Sequence, residues 1–466
     1  MKTLEKCKIR QFVPIFLCGF KRLLLPLHLK HKQLCKMNQI VPKIDARIIE
    51  KIVANQREEL DYRRTRRYCY RQEVELVDLN SPQAQVVIGV RRSGKSTLCF
   101  QALEQAHINY AYADFDDERL RGITAMQLDD VLEVLYKCYG DFKHIFLDEI
   151  QNIEGWHLFV NRLLRMGMHV VVTGSNANLL SSELATHLTG RNKEIHLYPF
   201  SFAEYCAFKS VDVTSMSTKG VALRRKAFDD YMCEGGFPEK MSMDDSSAYV
   251  DDLTKNVLVR DIEQRHHVVH KDAFERISNH LLNICPTILS ANDLTTMFNV
   301  KSKSTIGNYV QYLQEAFLLI EVQKYSYKSK IRMTQSKVYA VDVAMMNQRE
   351  NAFAGDNVGW RLETIVLVEL KRRARIKNLD IYYLKERSGE CDFIVCRANK
   401  VLQCIQVSYD ISNPKTLKRE LNGLLLASKQ TKCDNLLLLT DNVNQETQVT
   451  GMTVKIQPVH ERCLDR

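Results

Sequence analysis

The sequence is organised around Val86-Val-Ile-Gly89-Val-Arg-Arg92-Ser93-Gly94-Lys95-Ser96-Thr97. The apolar run Val86–Ile88 predicts a buried strand. Gly89 and Gly94 bracket four residues, and Lys95-Ser96 follow, which fits the phosphate-binding pattern G-x-x-x-x-G-K-[ST]. The glycines let the backbone curl so that successive N–H groups face phosphate oxygens. A helix predicted over Lys95–Ala106 adds its positive N-terminal end. Lys95 suits the β- and γ-phosphates of ATP, and the Ser96 hydroxyl suits Mg²⁺. Gly89, Arg92, Ser93, Gly94, Lys95, Ser96 and Thr97 are therefore the candidate nucleotide contacts, with ATP and Mg²⁺ as cofactors.

Outward from this loop, strand and helix patterns alternate to about residue 200. That predicts a parallel sheet flanked by helices. Tyr110-Ala-Tyr-Ala-Asp114 reads as a second strand ending in an acid. A helix around Met126–Tyr139 leads to His144-Ile-Phe-Leu-Asp148-Glu149. This apolar strand delivers two carboxylates at its C-terminal end, where α/β sheets place ligands. Asp148, with Ser96, suits the metal, and Glu149 suits polarising the attacking water. His169-Val-Val-Val-Thr-Gly-Ser175-Asn176 ends at the same edge. Ser175 or Asn176 would sense the γ-phosphate or orient the water; the alternative is a helix cap for residues 178–185. Arg191 is a candidate for stabilising transition-state charge, in cis or towards a neighbouring subunit, against a structural ion pair.

At 466 residues the chain is too long for one ordinary core. Its hydrophobic and charged contents, 45% and 26%, are those of a globular protein. Of the formal net charge of +10, residues 1–36 hold nine basic residues and one acid, leaving +2 for the rest. A DNA-facing surface must then be local. The apolar run Phe12–Phe20 is too short to span a bilayer, and no cleavage site follows it, so residues 1–36 read as a basic N-terminal extension. The alternative is a membrane-surface anchor. The 14 cysteines form no C-x-x-C pair. Cys391, Cys396 and Cys404 read as strand core, and reduced thiols predict a cytoplasmic location. Arg63, Arg64, Arg66, Arg67 and Arg71 read as a solvated face rather than phosphate contacts.

Several stretches together resemble the prokaryotic AAA-type ATPases that carry an appended C-terminal domain of unknown function. They are the phosphate loop with Arg91-Arg92, Leu147-Asp-Glu-Ile-Gln151, Thr173-Gly-Ser-Asn-Ala177, Thr189-Gly-Arg191 and Pro199-Phe-Ser-Phe-Ala-Glu204. The resemblance covers the chain from about residue 40 to near its C-terminus. It implies an α/β fold, with a P-loop NTPase parallel-sheet domain followed by a helical/winged-helix domain and an α/β PD-(D/E)xK nuclease-like domain. The expected boundaries are 37–205 for the AAA-like domain, 206–265 for a helical lid, 266–348 for the winged helix and 349–466 for the nuclease-like domain. Glu234-Gly-Gly236-Phe-Pro238-Glu239 resembles a hinge beside the nucleotide.

Over 270–345 the pattern is helix, turn, helix, then a basic hairpin-like stretch Val322–Met333. The polar positions Lys301, Lys303, Asn308 and Gln311 suit DNA, while interdomain packing is an equal reading. From 359 onward the layout resembles the nuclease superfamily. Glu363 and Asp392 match its acids, but its acid-x-lysine positions read Gln406-Val-Ser408. A neutral amide and a hydroxyl replace a metal-binding carboxylate and a cation, so this site is expected to be degenerate and not to cut. Lys385 is the nearest substitute cation. Two function classes remain: a Mg²⁺-dependent ATPase whose cycle moves the C-terminal modules, and an ATP-regulated DNA-binding switch with little turnover. An ATP-fuelled nuclease is disfavoured. The partner beyond ATP is DNA or a protein, and the sequence leaves the oligomeric state open.

Overall fold

The computed structural model describes residues 43–465 apart from 67, 176–187, 189, 244, 247 and 348–356. The N-terminal extension, Arg67, Asn176 and the helix expected over 178–185 lie outside the described residues. Helix α1 (Ala46–Arg64) is capped by Asp45, whose carboxylate accepts the Arg47 N–H, and it buries Ile49, Ile52, Val53, Gln56 and Leu60. Spacings of three and four place these on one face.

Strands β1 (Ala84–Ile88), β2 (Tyr110–Asp114), β3 (His144–Asp148), β4 (His169–Gly174) and β5 (Asn192–His196) pair in the order β2-β3-β4-β1-β5, all parallel. The inner strands are apolar on both faces because helices cover both. Val86, Ile88, Ile145 and Leu147 pack with α1, α3 (Leu128–Tyr139) and α4 (Trp156–Arg165), through Leu128, Trp156 and Phe159. Val87, Tyr112 and Phe146 pack on α2 (Lys95–Gln105) through Leu98, Cys99 and Leu103. The alternating strands and helices expected from the sequence thus run through residue 196, and the phosphate loop and both carboxylates meet at one sheet edge.

A helical stretch follows: α5 (Phe202–Phe208), α6 (Thr218–Glu234) and α7 (Tyr249–Asn256), the last continuing into a π-helical turn, Val257–Glu263. Ser201 and Glu204 form a reciprocal capping box that starts α5. Beyond it come α8 (Lys271–Ile284), β6 (Thr287–Ile288), α9 (Ala291–Met297), α10 (Lys303–Glu315), β7 (Leu319–Lys324) and β8 (Ser336–Ala340). The basic hairpin expected over Val322–Met333 is displaced: a short helix, Ser329–Thr334, separates β7 from β8, which pair antiparallel.

The C-terminal part contributes α11 (Val358–Lys377), β9 (Asp380–Glu386), β10 (Gly389–Arg397), β11 (Lys400–Val407), α12 (Pro414–Thr431), β12 (Leu436–Thr440), β13 (Gln445–Val449), β14 (Met452–Pro458) and α13 (Val459–Leu464). One sheet crosses the boundary expected at 348/349. Its order among the described residues is β13-β14-β12-β11-β10-β9-β7-β8-β6. The joint is β7 with β9, where Gln323 and Lys324 pair parallel with Tyr382 and Tyr383. An exposed edge on β7 would leave its N–H and C=O groups unpaired, and β9 supplies partners. Cys391, Cys396 and Cys404 are buried in this region's core, as expected from their strand positions.

Candidate functional site

A cavity of about 790 Å³ opens at the C-terminal edge of the parallel sheet. Gly94, Lys95, Ser96, Thr97, Arg91, Arg92, Asp114, Asp148 and Glu149 line it. Gly89 turns the chain against β5: a Cβ there would lie 2.1 Å from the Leu197 carbonyl oxygen. Gly94, at φ +94°, turns the loop into α2. Ser93 is buried beneath the loop, and its carbonyl accepts from the Arg71 guanidinium at 3.0 Å.

The catalytic candidates converge. Lys95 Nζ lies 3.6 Å from Glu149 Oε1 and donates to the Val90 carbonyl at 3.4 Å. The Ser96 hydroxyl donates to Asp148 Oδ1 at 3.0 Å. Thr173 from β4 donates its hydroxyl to the same oxygen and accepts the Glu149 N–H at 3.0 Å. Ser175 donates to Glu149 Oε2 at 3.2 Å, and Gln151 donates to it as well. Glu149 sits at φ +51°, a left-handed conformation that swings its side chain off the strand line.

Burial opposes the charge on Glu149, yet Lys95, Gln151 and Arg91 hold its carboxyl below the usual range. Asp148 is pushed up by burial and by Glu149. Asp114, at the end of β2, is pushed up to about 7 by burial and by Asp148. The edge thus holds an ionised Glu149 beside carboxyls that bind protons more readily. Ser96 and Asp148 offer two hard oxygens 3.0 Å apart at the foot of the loop, a donor set that fits Mg²⁺.

Arg191 departs from one expectation. Arg191 immediately precedes β5, and Ala84 at the start of β1 donates its N–H to the Arg191 carbonyl. It therefore stands at the opposite end of the sheet from the loop. Four strand residues put it about 13 Å away. Its guanidinium meets Asn161 of α4 at 3.5 Å. The basic cluster departs in part: Arg64 and Arg66 are exposed, as a solvated face requires, but Arg71 is not. Arg63 and Arg66 line the cavity with Tyr68, and Arg71 is buried rather than solvated. Arg71 donates to Glu204 Oε1 at 2.6 Å and to the Tyr198 carbonyl at 2.7 Å. Arg92 pairs with Glu239 at 3.2 Å, which brings the glycine-proline segment to the cavity beside Pro238. Thr173, Gln151 and Arg71 lie in stretches the sequence singles out, but nothing local assigns their roles, which come from where the folded chain puts them.

Glu363, Asp392, Gln406 and Ser408 gather around a second cavity, of about 850 Å³. Asp392 Oδ2 accepts the Val407 N–H at 2.9 Å, and its own N–H reaches Gln406 Oε1 at 3.3 Å. Gln406 donates to Glu420 at 2.7 Å, and the Ser408 hydroxyl donates to the Asp410 carbonyl at 3.3 Å. Lys385 donates to Glu390 at 2.6 Å.

Residues 81–206 match the family model described as an AAA domain, and residues 225–355 match a domain of unknown function. An uncharacterized protein of Methanocaldococcus jannaschii is 33% identical over 371 residues, covering 78% of this chain and 82% of the relative. An uncharacterized protein of Haemophilus influenzae is 31% identical over 386 residues, covering 79% and 92% respectively. Among solved structures, a Walker-type ATPase of Pyrococcus abyssi matches 60% of this chain and 94% of its own, at 15% identity and a TM-score of 0.38. AMPPCP-bound DnaA from Aquifex aeolicus matches 52% and 85%, at 12% identity and a TM-score of 0.24.

Proposed function

This chain belongs to the family of AAA-domain proteins represented by the Methanocaldococcus and Haemophilus relatives, and from that premise we propose that it is a Mg²⁺-dependent ATPase whose nucleotide cycle moves its C-terminal part. The observation that carries the reading is the meeting of Lys95, Ser96, Asp148 and Glu149 in one cavity. The loop N–H groups and Lys95 would hold the phosphates, and Ser96 with Asp148 would hold the metal. Bound Mg²⁺ neutralises phosphate charge. Glu149, ionised and braced by Ser175 and Gln151, would accept the proton of the attacking water. Arriving phosphate would draw Lys95 from Glu149 and free that carboxylate. Arg191 would act only across a subunit boundary.

The coupling reading rests on contacts leading out of the loop. Arg71 joins Ser93 to Glu204 and lies 3.9 Å from Glu73. Glu73 in turn pairs with Arg372 of α11 at 3.1 Å. Gly236 offers a second route: its carbonyl accepts from Phe200, and its N–H donates to Asp342 just after β8. A Cβ on Gly236 would lie 2.3 Å from the Phe200 carbonyl oxygen, so the contact needs glycine. An ATP-regulated DNA-binding switch with little turnover is the second reading. The helices α8–α10 with β6, β8 and β7 would be the winged helix, and Lys301, Lys303 and Asn308 are exposed on it. Phosphate release measured with and without duplex DNA separates the two: DNA-independent turnover supports the motor, and negligible turnover with ATP-dependent DNA affinity supports the switch. The C-terminal part would keep a nuclease-like fold without cleaving.

A further inference from the structure

The second cavity contains a residue that the nuclease-like pattern does not supply. Lys337, on β8, is 6% exposed and reaches into the carboxylates of the C-terminal sheet. Its Nζ lies 2.8 Å from Glu363 Oε1, 2.9 Å from Glu390 Oε1 and 3.8 Å from Asp392 Oδ1. Tyr339, two residues along the same strand, donates its hydroxyl to Glu363 Oε1 at 2.7 Å. Of the other basic residues lining the cavity, Lys385 is engaged with the second oxygen of Glu390.

A nuclease-type site would use these carboxylates to hold a divalent metal. The fit fails at the ammonium. Mg²⁺ draws carboxylate oxygens to about 2.1 Å in an octahedron. Here a cation is already in place, at hydrogen-bond distance from the Glu363 and Glu390 oxygens and 3.8 Å from that of Asp392, and a dication brought among them meets it at close range. Around Lys337 the carboxylate charge is also offset without a metal. Lys337 and Lys385 offset Glu363 and Glu390, while burial and the neighbouring Glu363 favour a proton on Asp392. Among the described residues, no group of three or more His, Cys, Asp or Glu side chains is arranged to hold a metal ion.

We propose that Lys337 is a built-in cation standing where a divalent metal would bind, so that the C-terminal cavity is a metal-independent ionic joint between β8, α11 and β10. The lysine missing at position 408 is not restored as a catalytic group; a lysine from a different strand closes the site. Removing its charge should open a cation site that the native chain lacks. The inference does not depend on the nucleotide reading, and it is tested without nucleotide.

The test is a Mn²⁺ titration of the full chain followed by electron paramagnetic resonance, with circular dichroism to confirm folding. The variants are Lys337→Met, Asp392→Asn and the double variant. Wild type and Asp392→Asn should bind Mn²⁺ identically. Lys337→Met should gain one Mn²⁺ per chain, with at least tenfold tighter uptake than wild type, and the double variant should lose it. Mn²⁺ bound by wild type and lost in Asp392→Asn would overturn the proposal. So would a folded Lys337→Met that gains nothing. Should Lys337→Met fail to fold, the comparison of wild type with Asp392→Asn still decides, because it alone reports whether the native carboxylates hold a metal.

Discussion

Single residues decide the chemistry at the sheet edge. Lys95 is buried and is held by Glu149 and a backbone carbonyl, contacts that arriving phosphate would replace. Lys95→Ala should weaken ATP binding by about 3 kcal/mol, on the order of 100-fold in Kd. Isothermal titration with ATP and Mg²⁺ measures it. Glu149→Gln keeps the shape and the contacts of Ser175 and Gln151 but cannot take a proton. Its Kd should stay near wild type while phosphate release falls by about 10²- to 10⁴-fold. Equal turnover in the two proteins would remove Glu149 from the mechanism. These residues were legible in sequence because the phosphate loop and the strand ending in Asp148-Glu149 are local patterns. The support from Thr173 was not, since it acquires its role only when β3 and β4 lie side by side.

At the scale of elements, β7 and β8 belong at once to the helical region and to the C-terminal sheet. A fragment ending at residue 348 would expose the edge of β7 and strip Lys337 and Tyr339 of Glu363. It should be insoluble or lack a cooperative melt; a soluble, cooperatively melting fragment would show that the joint is dispensable. The helix α10 and the segment after β7 carry the test of DNA binding. Lys301, Lys303, Lys328 and Lys330 changed together to Ala should reduce the slope of log K against log salt by about 0.9 for each phosphate they no longer neutralise. Fluorescence anisotropy with a labelled duplex reads this slope. An unchanged slope would leave these elements to packing alone.

Across the whole molecule, a buried ionic path runs from the phosphate loop to α11 through Arg71, Glu73 and Arg372. Burial disfavours the Glu73 charge, but Arg372 and Arg71 hold its carboxyl below the usual range. A depressed folded pKa means that the unfolded chain binds the proton more readily. Stability from Glu73 is then complete above about pH 4.5 and is lost as pH falls through the lower folded value. Glu73→Gln should cost about 3–5 kcal/mol near neutral pH, because two arginines lose a buried partner. Melting temperature against pH measures both effects: the variant should melt lower at pH 7, and the difference should narrow in acid. A melt unchanged at pH 7 would mean that the path carries no stability.

The sequence by itself determined the parallel sheet, the phosphate loop and the carboxylates opposite it. Those features arise from residues close in the chain, where strand periodicity and loop chemistry act directly. Only the tertiary structure decided that Arg191 stands at the far end of the sheet and that Arg71 is interior. It also decided that Lys337 fills a carboxylate cluster on a helix and a strand distant in sequence. The physical reason is common to all three. A charge takes its meaning from what surrounds it, and the neighbours of these residues come from elements that sequence spacing does not bring together.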